Sequence, residues 1–471
     1  MKMLINGEFI DKDDKQNILN PYNGEIIDTV PIANLGDAHY AIESANLAKD
    51  SIQNMSAKEV SDALYSACVE LEERKDEIAE LISLEVGKPY KHAIVEVNRS
   101  VETLKLSAEE AKRIYGETVP LDVAGSADEK FYAFTKKIPL GVVGAITPFN
   151  FPVNLALHKI APALAAKNTV IIKPPMEAPL STLKLVEILN KYFPKGVVNA
   201  VTGYGSEIGD ALVTSPDVDK ISFTGSVATG LFISSRARGK KLTLELGGND
   251  PLIVLEDANI EDAVNAAVSG AFSNSGQVCI GVKRIILDNN IADEFIDLFV
   301  KETKKLKLGN PLDKSTDLGP VIDESAAINI EETINNAIKD GADLLYGGKR
   351  NNCFIEPTIL DNVNMSMDVV ANETFGPVAP LIRVNGVDEA INVANDSKYG
   401  LQAGVFTNNL SNALKCAEEI VAGGVMINKA SSFRADNMPF GGFKSSGMGK
   451  EGIKYAIEDM CKTKLIAFKH I

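Results

Sequence analysis

The sequence predicts an α/β protein built from two units that each contain a parallel sheet, and three features of its 471 residues predict it. From residue 141 onward, short apolar runs alternate with helical stretches, as in a doubly wound sheet whose crossover helices cover both faces. A second series of the same kind begins at residue 251. The length also exceeds one ordinary core of roughly 150 residues. We therefore expect two or three packed units with clefts between them.

The individual elements follow from periodicity. Between residues 37 and 116, apolar residues recur every three or four positions, which predicts helices that cover one face of a sheet. Five apolar runs predict the strands of the first sheet: 141–147, 169–173, 197–202, 220–224 and 242–246. The second unit is predicted as strand, helix, strand and helix: 251–255, 260–274, 284–287 and 291–306.

The C-terminal part is less regular. The glycine-rich stretch 423–452, which contains Pro439, is predicted to be loop. Residues 463–469 are apolar enough for a final strand. Because no strand precedes it locally, it would need a partner from elsewhere, such as another subunit.

Composition limits the classes of partner. Lys and Arg number 48 and Asp and Glu 64, so the formal net charge is −16. Such a surface repels phosphate backbones and anionic lipid, and we expect neither a nucleic acid nor a membrane as a partner. The first ten residues lack the features of a signal peptide, and no apolar run reaches 18 residues. A cytoplasmic enzyme is the expectation.

The cysteines and histidines do not indicate a metal site. Five cysteines are far apart and form no C-x-x-C pair, which favours a reducing compartment and argues against structural zinc. The four histidines show neither metal-ligand nor triad spacing. We expect no metal.

Cys279 is the candidate nucleophile. It follows Ser275-Gly276-Gln277-Val278, just after a helix predicted to end near Asn274. A cysteine in a glycine-bearing loop between helix and strand can present its sulfur to a cleft, where a thiolate is a strong nucleophile. Taken alone, the residue is better interpreted as a small buried apolar side chain, and it is the neighbouring segments that favour the nucleophile.

Two further side chains fit acyl chemistry. Glu245 ends an apolar strand and is followed by Gly247 and Gly248, so it lies where sheet ligands bind, and burial would raise its pKa towards that of a general base. Asn150, in Thr147-Pro148-Phe149-Asn150-Phe151-Pro152, could be held by the prolines as a donor to oxyanion charge. The alternatives are a solvated carboxylate and an ordinary turn residue.

Three segments fit a dinucleotide. Residues 223–230, F-T-G-S-V-A-T-G, follow a strand and open a helix whose N–H groups could bind pyrophosphate, with Gly225 giving close approach. Lys173 ends a strand before two prolines, and Glu373-Thr374-Phe375-Gly376-Pro377 offers a carboxylate and an aromatic ring. The near match to G-x-G-x-x-G at 203–209 has one residue too many, and we interpret it as a structural loop.

Taken together, these segments resemble the aldehyde dehydrogenase superfamily over essentially the whole chain. The patterns T-P-F-N-F-P, K-P, F-T-G-S, E-L-G-G, G-Q-V-C, E-T-F-G-P and P-F-G-G-x-K occur in the family's order. The resemblance implies the aldehyde dehydrogenase fold, with a Rossmann-like cofactor domain (1–120 and 139–247) and an α/β catalytic domain (248–445). It also implies a small oligomerisation arm, formed by residues 121–138 and 446–471, and a homodimer or homotetramer.

The resemblance implies roles for the candidate residues. Cys279 is the nucleophile, Glu245 the base for a hydrolytic water, and the Asn150 amide with the Cys279 N–H the oxyanion hole. Since relatives that acylate coenzyme A typically lack the carboxylate of Glu245, water is the implied acyl acceptor. The cofactor is NAD or NADP, and its implied contacts are Ile146, Thr147, Pro148, Lys173, Gly225, Ser226, Val227, Ala228, Thr229, Gly230, Glu373 and Phe375.

Within the superfamily the chain is similar to archaeal lactaldehyde dehydrogenases and to non-phosphorylating glyceraldehyde-3-phosphate dehydrogenases. The passage 432–442, which contains Arg434, carries this similarity, and Arg99 matches a position that can meet a polar or anionic substrate tail. Val278 stands where several phosphate-handling relatives place arginine, which favours lactaldehyde. Oxidation of glyceraldehyde 3-phosphate with NADP is the alternative, and a catalytically silent protein of this fold is a third hypothesis.

The sequence leaves the nucleotide open. NAD-preferring relatives often place a glutamate three residues after the strand-end lysine, where this chain has Met176. A carboxylate there would repel a 2′-phosphate, so its absence permits NADP without requiring it. Glu177, next in the chain, could partly substitute.

Overall fold

The computed structural model describes residues 1–123 and 131–469. Residues 124–130 of the expected arm, and residues 470–471, lie outside the described residues. The strands in the described ranges are β1 (Met3–Ile5), β2 (Glu8–Ile10), β3 (Lys15–Leu19), β4 (Ile26–Pro31), β5 (Phe131–Pro139), β6 (Val142–Ile146), β7 (Thr169–Lys173), β8 (Val198–Ala200), β9 (Lys220–Thr224), β10 (Lys241–Glu245), β11 (Pro251–Val254), β12 (Arg284–Asp288), β13 (Asp343–Tyr346), β14 (Arg350–Asn351), β15 (Phe354–Ile355), β16 (Thr358–Asp361), β17 (Val378–Val384), β18 (Gln402–Phe406), β19 (Gly424–Ile427), β20 (Gly447–Met448) and β21 (Cys461–Lys469).

The helices connect these strands and cover their faces. In the same ranges they are α1 (Leu35–Leu47), α2 (Lys49–Gln53), α3 (Ala57–Glu73), α4 (Lys75–Val86), α5 (Tyr90–Glu110), α6 (Asn154–Ala165), α7 (Leu180–Asn190), α8 (Asp210–Thr214), α9 (Val227–Arg236), α10 (Ile260–Phe272), α11 (Ala292–Thr303), α12 (Glu324–Lys339), α13 (Asp368–Ala371), α14 (Gly386–Asn395), α15 (Leu410–Glu419) and α16 (Ile453–Asp459). No helix among the described residues is long and apolar enough to cross a bilayer.

The first sheet has the strand order β2-β1-β8-β7-β6-β9-β10-β20. Strands β8, β7, β6, β9 and β10 run parallel, and β6, β7 and β9 are buried along their whole length. Such strands are apolar runs because helices cover both faces of the sheet. Their carboxyl ends are in register: Ile146 lies opposite Lys173 and Phe223, and Thr224 lies opposite Glu245. The predicted functional segments that follow these strands therefore share one edge of the sheet.

The second sheet has the order β13-β16-β17-β12-β11-β18-β19, and its central strands β17, β12, β11, β18 and β19 are parallel. The α/β class with two parallel-sheet units, predicted from the alternation of apolar runs, is thus confirmed. The functional division of the chain into cofactor, catalytic and oligomerisation parts stays a prediction.

The C-terminal segment divides between two places. Strand β20 pairs with β10, and α16 packs against α5 and α6, so this part is continuous with the first unit. Strand β21 pairs antiparallel with β5 over nine residues, from Cys461 opposite Pro139 to Lys469 opposite Phe131. The last strand was expected to take a partner from elsewhere, such as another subunit; in the structure the partner is β5 of the same chain, more than 300 positions away, which no local pattern reveals. The stretch 423–452, predicted to be loop, also contributes β19 and β20.

Candidate functional site

The turn before Cys279 has unusual backbone geometry. Helix α10 ends at Phe272, and Asn274 and Ser275 both have positive φ, 49° and 54°, followed by Gly276 at 71°. Left-handed non-glycine residues cost on the order of 1–3 kcal/mol each and persist where the surroundings enforce them. Here the Ser275 hydroxyl donates to the Gly319 carbonyl at 2.7 Å, and the Asn274 amide donates to the Gln277 carbonyl at 3.4 Å. The turn that presents Cys279 is therefore held on both sides.

Glycines allow three loops to meet at this turn. A Cβ on Gly276 would lie 2.0 Å from the Gly376 carbonyl oxygen, and a Cβ on Gly248 would lie 2.6 Å from the carbonyl oxygen of Cys279. No side chain fits at either position. The glycines of the G-Q-V-C and E-L-G-G patterns thus have a steric reason: they bring the loops after β10, after α10 and around Glu373 into contact.

Asn150 is fixed beside Cys279. Its side chain is buried, and its Nδ2 donates to the carbonyl of Gln277 at 2.9 Å, which leaves the second amide hydrogen for another acceptor. Its Oδ1 has no hydrogen-bond partner among the described residues. Asn150 and Cys279 line one cavity of about 310 Å³, which we call the Glu373 cavity. A fixed amide N–H of this kind can stabilise negative charge that develops on a reacting oxygen.

Glu245 ends β10 and is buried immediately before Leu246 and Gly247, which line the Glu373 cavity. Burial and the nearby Glu451 raise the pKa of Glu245 well above its ordinary value, against the opposing effect of Arg434. Burial and Glu245 likewise raise the pKa of the Cys279 thiol to about 12. The Cys279 thiol is consequently protonated at neutral pH in this state and must lose its proton to act, and burial favours the protonated form of Glu245.

A buried charge network lies behind Glu245. The Lys159 ammonium donates to Thr224 at 2.6 Å and to Glu451 at 2.8 Å, and Arg434 donates to Glu451 at 3.0 Å. Burial tends to raise the pKa of Glu451, but Lys159 and Arg434 hold it well below its ordinary value. Sequence reasoning missed Lys159 and Glu451. The available signal was a lysine within α6, whose residues are all buried.

The loop after α13 carries two of the predicted cofactor contacts. Glu373 is partly buried and lines the Glu373 cavity, and its Oε1 is buried and has no hydrogen-bond partner in the described chain. Burial raises the pKa of Glu373 to about 7, although Lys283 opposes the rise. Phe375 has a positive φ of 49°, and its ring meets that of Phe149 edge-on at 6.0 Å between centroids.

A groove of about 460 Å³ continues from the carboxyl edge of the first sheet. It is lined by Ile146, Ala228 and Thr229 from the predicted set, together with Gly205, Ser206 and Gly209. The 203–209 stretch, interpreted from the sequence as a structural loop, is therefore part of a groove wall and contains a π-helix, Gly205–Gly209. The extra residue that spoils its match to G-x-G-x-x-G gave no reason to expect this.

Gly225 immediately precedes the N-terminus of α9 and was expected to allow close approach to a ligand. Its own N–H donates to the Glu245 carbonyl at 3.0 Å, because β9 and β10 continue their pairing there. Ser226 is the N-cap and accepts from the Thr229 N–H at 3.2 Å. Gly225 and Ser226 line the Glu373 cavity rather than the groove.

The remaining cofactor candidates surround these spaces. Lys173 donates to the Pro174 carbonyl at 2.9 Å, and burial lowers its pKa to about 8. A Cβ on Gly209, in the groove wall, would lie 4.0 Å from Lys173 Cδ. The Thr147 hydroxyl is buried and has no partner within the described residues. Pro148 and Phe375 line the Glu373 cavity, whereas Val227 and Gly230 belong to the first turn of α9.

The two predicted substrate arginines lie in different places. Arg99 lines a second cavity of about 240 Å³, the Arg99 cavity, together with His92, Val278 and Ser432. Its guanidinium donates twice to Asp436, at 2.7 and 3.2 Å. Arg434 does not line the Arg99 cavity. Its side chain is buried, forms an ion pair with Glu451, and stacks 3.7 Å from the Phe440 ring centroid. The charge of Arg434 instead tends to lower the pKa values of Glu245 and Cys279.

Comparison with known proteins agrees with this geometry. The model of the aldehyde dehydrogenase family matches residues 9–466. A lactaldehyde dehydrogenase of Methanococcus aeolicus is 46% identical over 98% of this chain and 99% of its own, and a 3-sulfolactaldehyde dehydrogenase of Priestia megaterium is 44% identical over 98% and 97%. The crystal structure of glyceraldehyde-3-phosphate dehydrogenase GapN from Methanocaldococcus jannaschii complexed with NADP is similar with a TM-score of 0.94 and 43% identity, over 98% of this chain and 100% of that one.

Proposed function

This chain belongs to the aldehyde dehydrogenase family and is an oxidoreductase, and we propose that it oxidises a small, neutral 2-hydroxyaldehyde, lactaldehyde, to its acid with NAD or NADP. Cys279 is the proposed nucleophile, Asn150 the oxyanion donor and Glu245 the base. The proposal is supported by their placement, since Cys279 and Asn150 share one cavity and Glu245 lies behind it. These roles distinguish an active enzyme from a silent protein of the same fold.

The proposed chemistry proceeds in two stages. The Cys279 sulfur bonds to the aldehyde carbon as its proton passes to the Glu245 carboxylate, and the Asn150 amide and the Cys279 N–H donate to the resulting oxyanion. NAD(P), when bound, supplies the two-electron acceptor that turns this adduct into a thioester. Once Glu245 has released the thiol proton to solvent, its carboxylate removes a proton from the water that attacks the thioester carbon, and the carbon–sulfur bond breaks to release the acid and the Cys279 thiolate.

Observed features of the chain fit NAD(P) on the cofactor side. The buried Glu373 Oε1 and Thr147 Oγ1 lack partners among the described residues and can accept from or donate to ribose and amide groups. The groove at the start of α9 has the apolar walls that suit a base. Met176 is buried in the core rather than offering a carboxylate, so a 2′-phosphate meets no repulsion from that position. NADP is therefore acceptable, as in the M. jannaschii relative.

The proposal of a neutral rather than an anionic aldehyde rests on the ion pair between Arg99 and Asp436. Arg99 is the guanidinium that lines the Arg99 cavity, and both of its bonds are already made to one carboxylate. Burial tends to raise the pKa of Asp436, but His158 and Arg99 hold it well below the ordinary value, so the carboxylate stays ionised. Because Asp436 already balances the charge of Arg99, an anionic substrate tail gains less from this guanidinium than from an unpaired one, whereas a neutral hydroxyl or methyl group does not depend on that charge.

The other basic groups of that cavity are neutralised too. Lys88 is buried and bonded to Glu96, and its ammonium lies 3.8 Å from the Phe151 ring centroid. Burial and the neighbouring Lys88 lower the pKa of His92 to about 4, so the imidazole is uncharged at neutral pH. The cavity thus presents a balanced, polar wall rather than a net positive one.

A second candidate is NADP-dependent oxidation of glyceraldehyde 3-phosphate without phosphorylation. Its support is the likeness to GapN and the presence of Arg99 in the cavity wall. The test is kcat/KM for lactaldehyde, 3-sulfolactaldehyde and glyceraldehyde 3-phosphate, each with NAD and NADP. We expect lactaldehyde to exceed both anionic aldehydes by about tenfold or more, equivalent to about 1.4 kcal/mol. A tenfold preference for either anionic aldehyde would reverse the assignment.

We also propose that the protein is a homodimer or homotetramer. The β5–β21 pair exposes Phe134 and Phe468, whose stacked rings form an apolar patch on one face, and it exposes Leu465 on the opposite face. Such patches mark association surfaces. Light scattering coupled to size-exclusion chromatography should give a multiple of the 50.5 kDa chain mass. The five free cysteines fit a reducing compartment such as the cytoplasm.

A further inference from the structure

Lys283 lies between the nucleophile turn and the second sheet. It precedes the first residue of β12, and its side chain is only 4% exposed. Its ammonium donates to the carbonyl of Gly276. A buried ammonium usually has a carboxylate in contact, because desolvating an unpaired charge is costly. Among the described residues Lys283 forms no ion pair at contact distance. Burial lowers the pKa of Lys283, and the carboxylates of Glu373 and Asp250, acting from further away, oppose this and favour the charged form. The placement of this costly charge calls for a function.

The contacts of Lys283 reach two strained segments. The first is the left-handed turn that ends at Gly276 and leads to Cys279. The second is the loop of Glu373 and Phe375: the ammonium lies 5.4 Å from the Phe375 ring centroid, a cation–π distance, and Phe375 itself has a positive φ. The two segments also touch directly, because Gly276 packs on the Gly376 carbonyl with no room for a Cβ.

We propose that Lys283 is a positioning residue for the reaction: its ammonium ties the turn that carries Cys279 to the loop that carries Glu373, and it keeps the Glu373 carboxylate charged for the cofactor. The inference rests on the proposed function, since it assumes that the Glu373 cavity receives NAD(P). It adds a residue outside every motif discussed above.

The charges around Glu373 show why one lysine matters. Glu373 interacts electrostatically with four other titratable groups: Lys283, Cys279, Asp250 and Tyr399. Lys283 is the cation of this set. Burial raises the pKa of Glu373 to about 7, and Lys283 opposes that rise. Without the ammonium the pKa of Glu373 would rise further, and the carboxyl would be neutral across the physiological range.

The test is equilibrium binding of NADP⁺ and NAD⁺ to the full-length protein by calorimetry from pH 6 to 9.5. For the unmodified protein we expect affinity to fall as the pH falls through about 7, where Glu373 gains its proton. Lys283→Gln keeps an N–H donor for Gly276 but removes the charge, and it should move the midpoint upward by about one pH unit or more. Glu373→Gln, alone and combined with Lys283→Gln, should abolish the transition.

Controls separate this role from general support of the fold. Lys220→Gln removes another buried ammonium, bonded to Asp459 and Thr243 in the first sheet, and should leave the midpoint unchanged. If Lys283→Gln does not fold, Lys283→Met and Lys283→Arg test the same charge, and only the arginine variant should keep the original midpoint. The rate of Cys279 alkylation by iodoacetamide, with and without NADP⁺, reports on the tie: binding should alter it in the unmodified protein and less so in Lys283→Gln.

The outcomes are distinguishable. A midpoint that stays in place in Lys283→Gln, with affinity reduced equally at every pH, would show that Lys283 only supports the fold and would overturn the inference. Failure of the unmodified protein to bind either nucleotide would instead overturn the proposed function.

Discussion

The two cavities that flank Cys279 differ in what their polar groups are bound to. On the Glu373 side, buried oxygens of Thr147, Asn150 and Glu373 have no hydrogen-bond partner among the described residues. On the Arg99 side, the charged groups are already paired with carboxylates of the chain, as Arg99 is with Asp436 and Lys88 with Glu96, and Nδ1 of the uncharged His92 lacks a hydrogen-bond partner among the described residues. Buried polar atoms without partners are uncommon in native proteins, and several around one cavity indicate a ligand.

This difference suits the two cavities to two different kinds of ligand. Unsatisfied donors and acceptors are free to bind a large polar ligand with many hydroxyl and amide groups, at no cost of breaking internal bonds. A wall whose charges are mutually neutralised accepts a small uncharged molecule and discriminates against an anion. Cys279 lines the Glu373 cavity and its neighbour Val278 lines the Arg99 cavity, which suits the proposed reaction between a nucleotide on one side and an aldehyde on the other.

The largest expected effect is loss of catalysis while both cavities keep their shape and lining charges. Replacing Cys279 by Ala should lower kcat by about 10⁴-fold or more, because no other thiol lines the Glu373 cavity within the described chain. NADP⁺ affinity should stay within about threefold, which calorimetry measures. Cys353→Ala, a change at a partly exposed thiol in the β14–β15 hairpin, is the control. Unchanged turnover in Cys279→Ala would end the covalent account.

Replacing Glu245 by Gln should separate the two stages. The amide cannot activate water, so steady-state turnover should fall by about 10²–10⁴-fold. Because a Glu245 carboxylate also receives the thiol proton, the first turnover should slow as well, but less than the steady state. Rapid-mixing measurements of NAD(P)H formation distinguish the two rates. A variant that slows neither would place the base elsewhere.

The pH dependence of turnover should reflect the raised pKa values of both groups. The reactive forms are the Cys279 thiolate and the Glu245 carboxylate, and the folded environment raises the pKa of each. Both forms are therefore gained as the pH rises and lost as it falls. We expect kcat to increase by about tenfold or more between pH 6 and 9. A maximum below pH 7 would contradict the protonation states that burial imposes.

The smallest expected effect is a change in substrate preference. It comes from removing the carboxylate that neutralises Arg99, and so removes the difference in charge pairing between the two cavities. Asp436→Asn frees the Arg99 guanidinium and should raise kcat/KM for 3-sulfolactaldehyde and glyceraldehyde 3-phosphate, relative to lactaldehyde, by about tenfold. The matched control is Asp361→Asn, which removes the carboxylate that Arg383 contacts at 2.9 Å, away from both cavities. An unaltered ratio in Asp436→Asn would show that the Arg99–Asp436 pair does not set the preference.

Much of the fold was predictable because its strands are buried on both faces. The runs at 169–173 and 220–224 form strands with the predicted bounds, since helices cover both sides and every residue is apolar or buried. The partner of the last strand was not predictable, because the register of β21 with β5 depends on tertiary proximity rather than on any local pattern.

The site divides in the same way. Residues at strand ends, such as Glu245 and Lys173, could be placed from sequence because parallel strands deliver their carboxyl ends to one edge. The pairing of Arg99 with Asp436, 337 positions apart, could not, and neither could the left-handed geometry at Asn274 and Ser275. Spacing shows where a side chain starts; its charge partner depends on packing between distant elements.

The most direct test of the central claim is to trap the covalent intermediate. Glu245→Gln is mixed with lactaldehyde and NADP⁺, quenched in acid within one turnover, and digested for mass spectrometry. The account predicts one lactoyl group, attached as a thioester to the peptide that contains Cys279 and absent when Cys279→Ala is added to the variant. NADPH formed in stoichiometric amount while Cys279 remains unmodified at every quench time would contradict it.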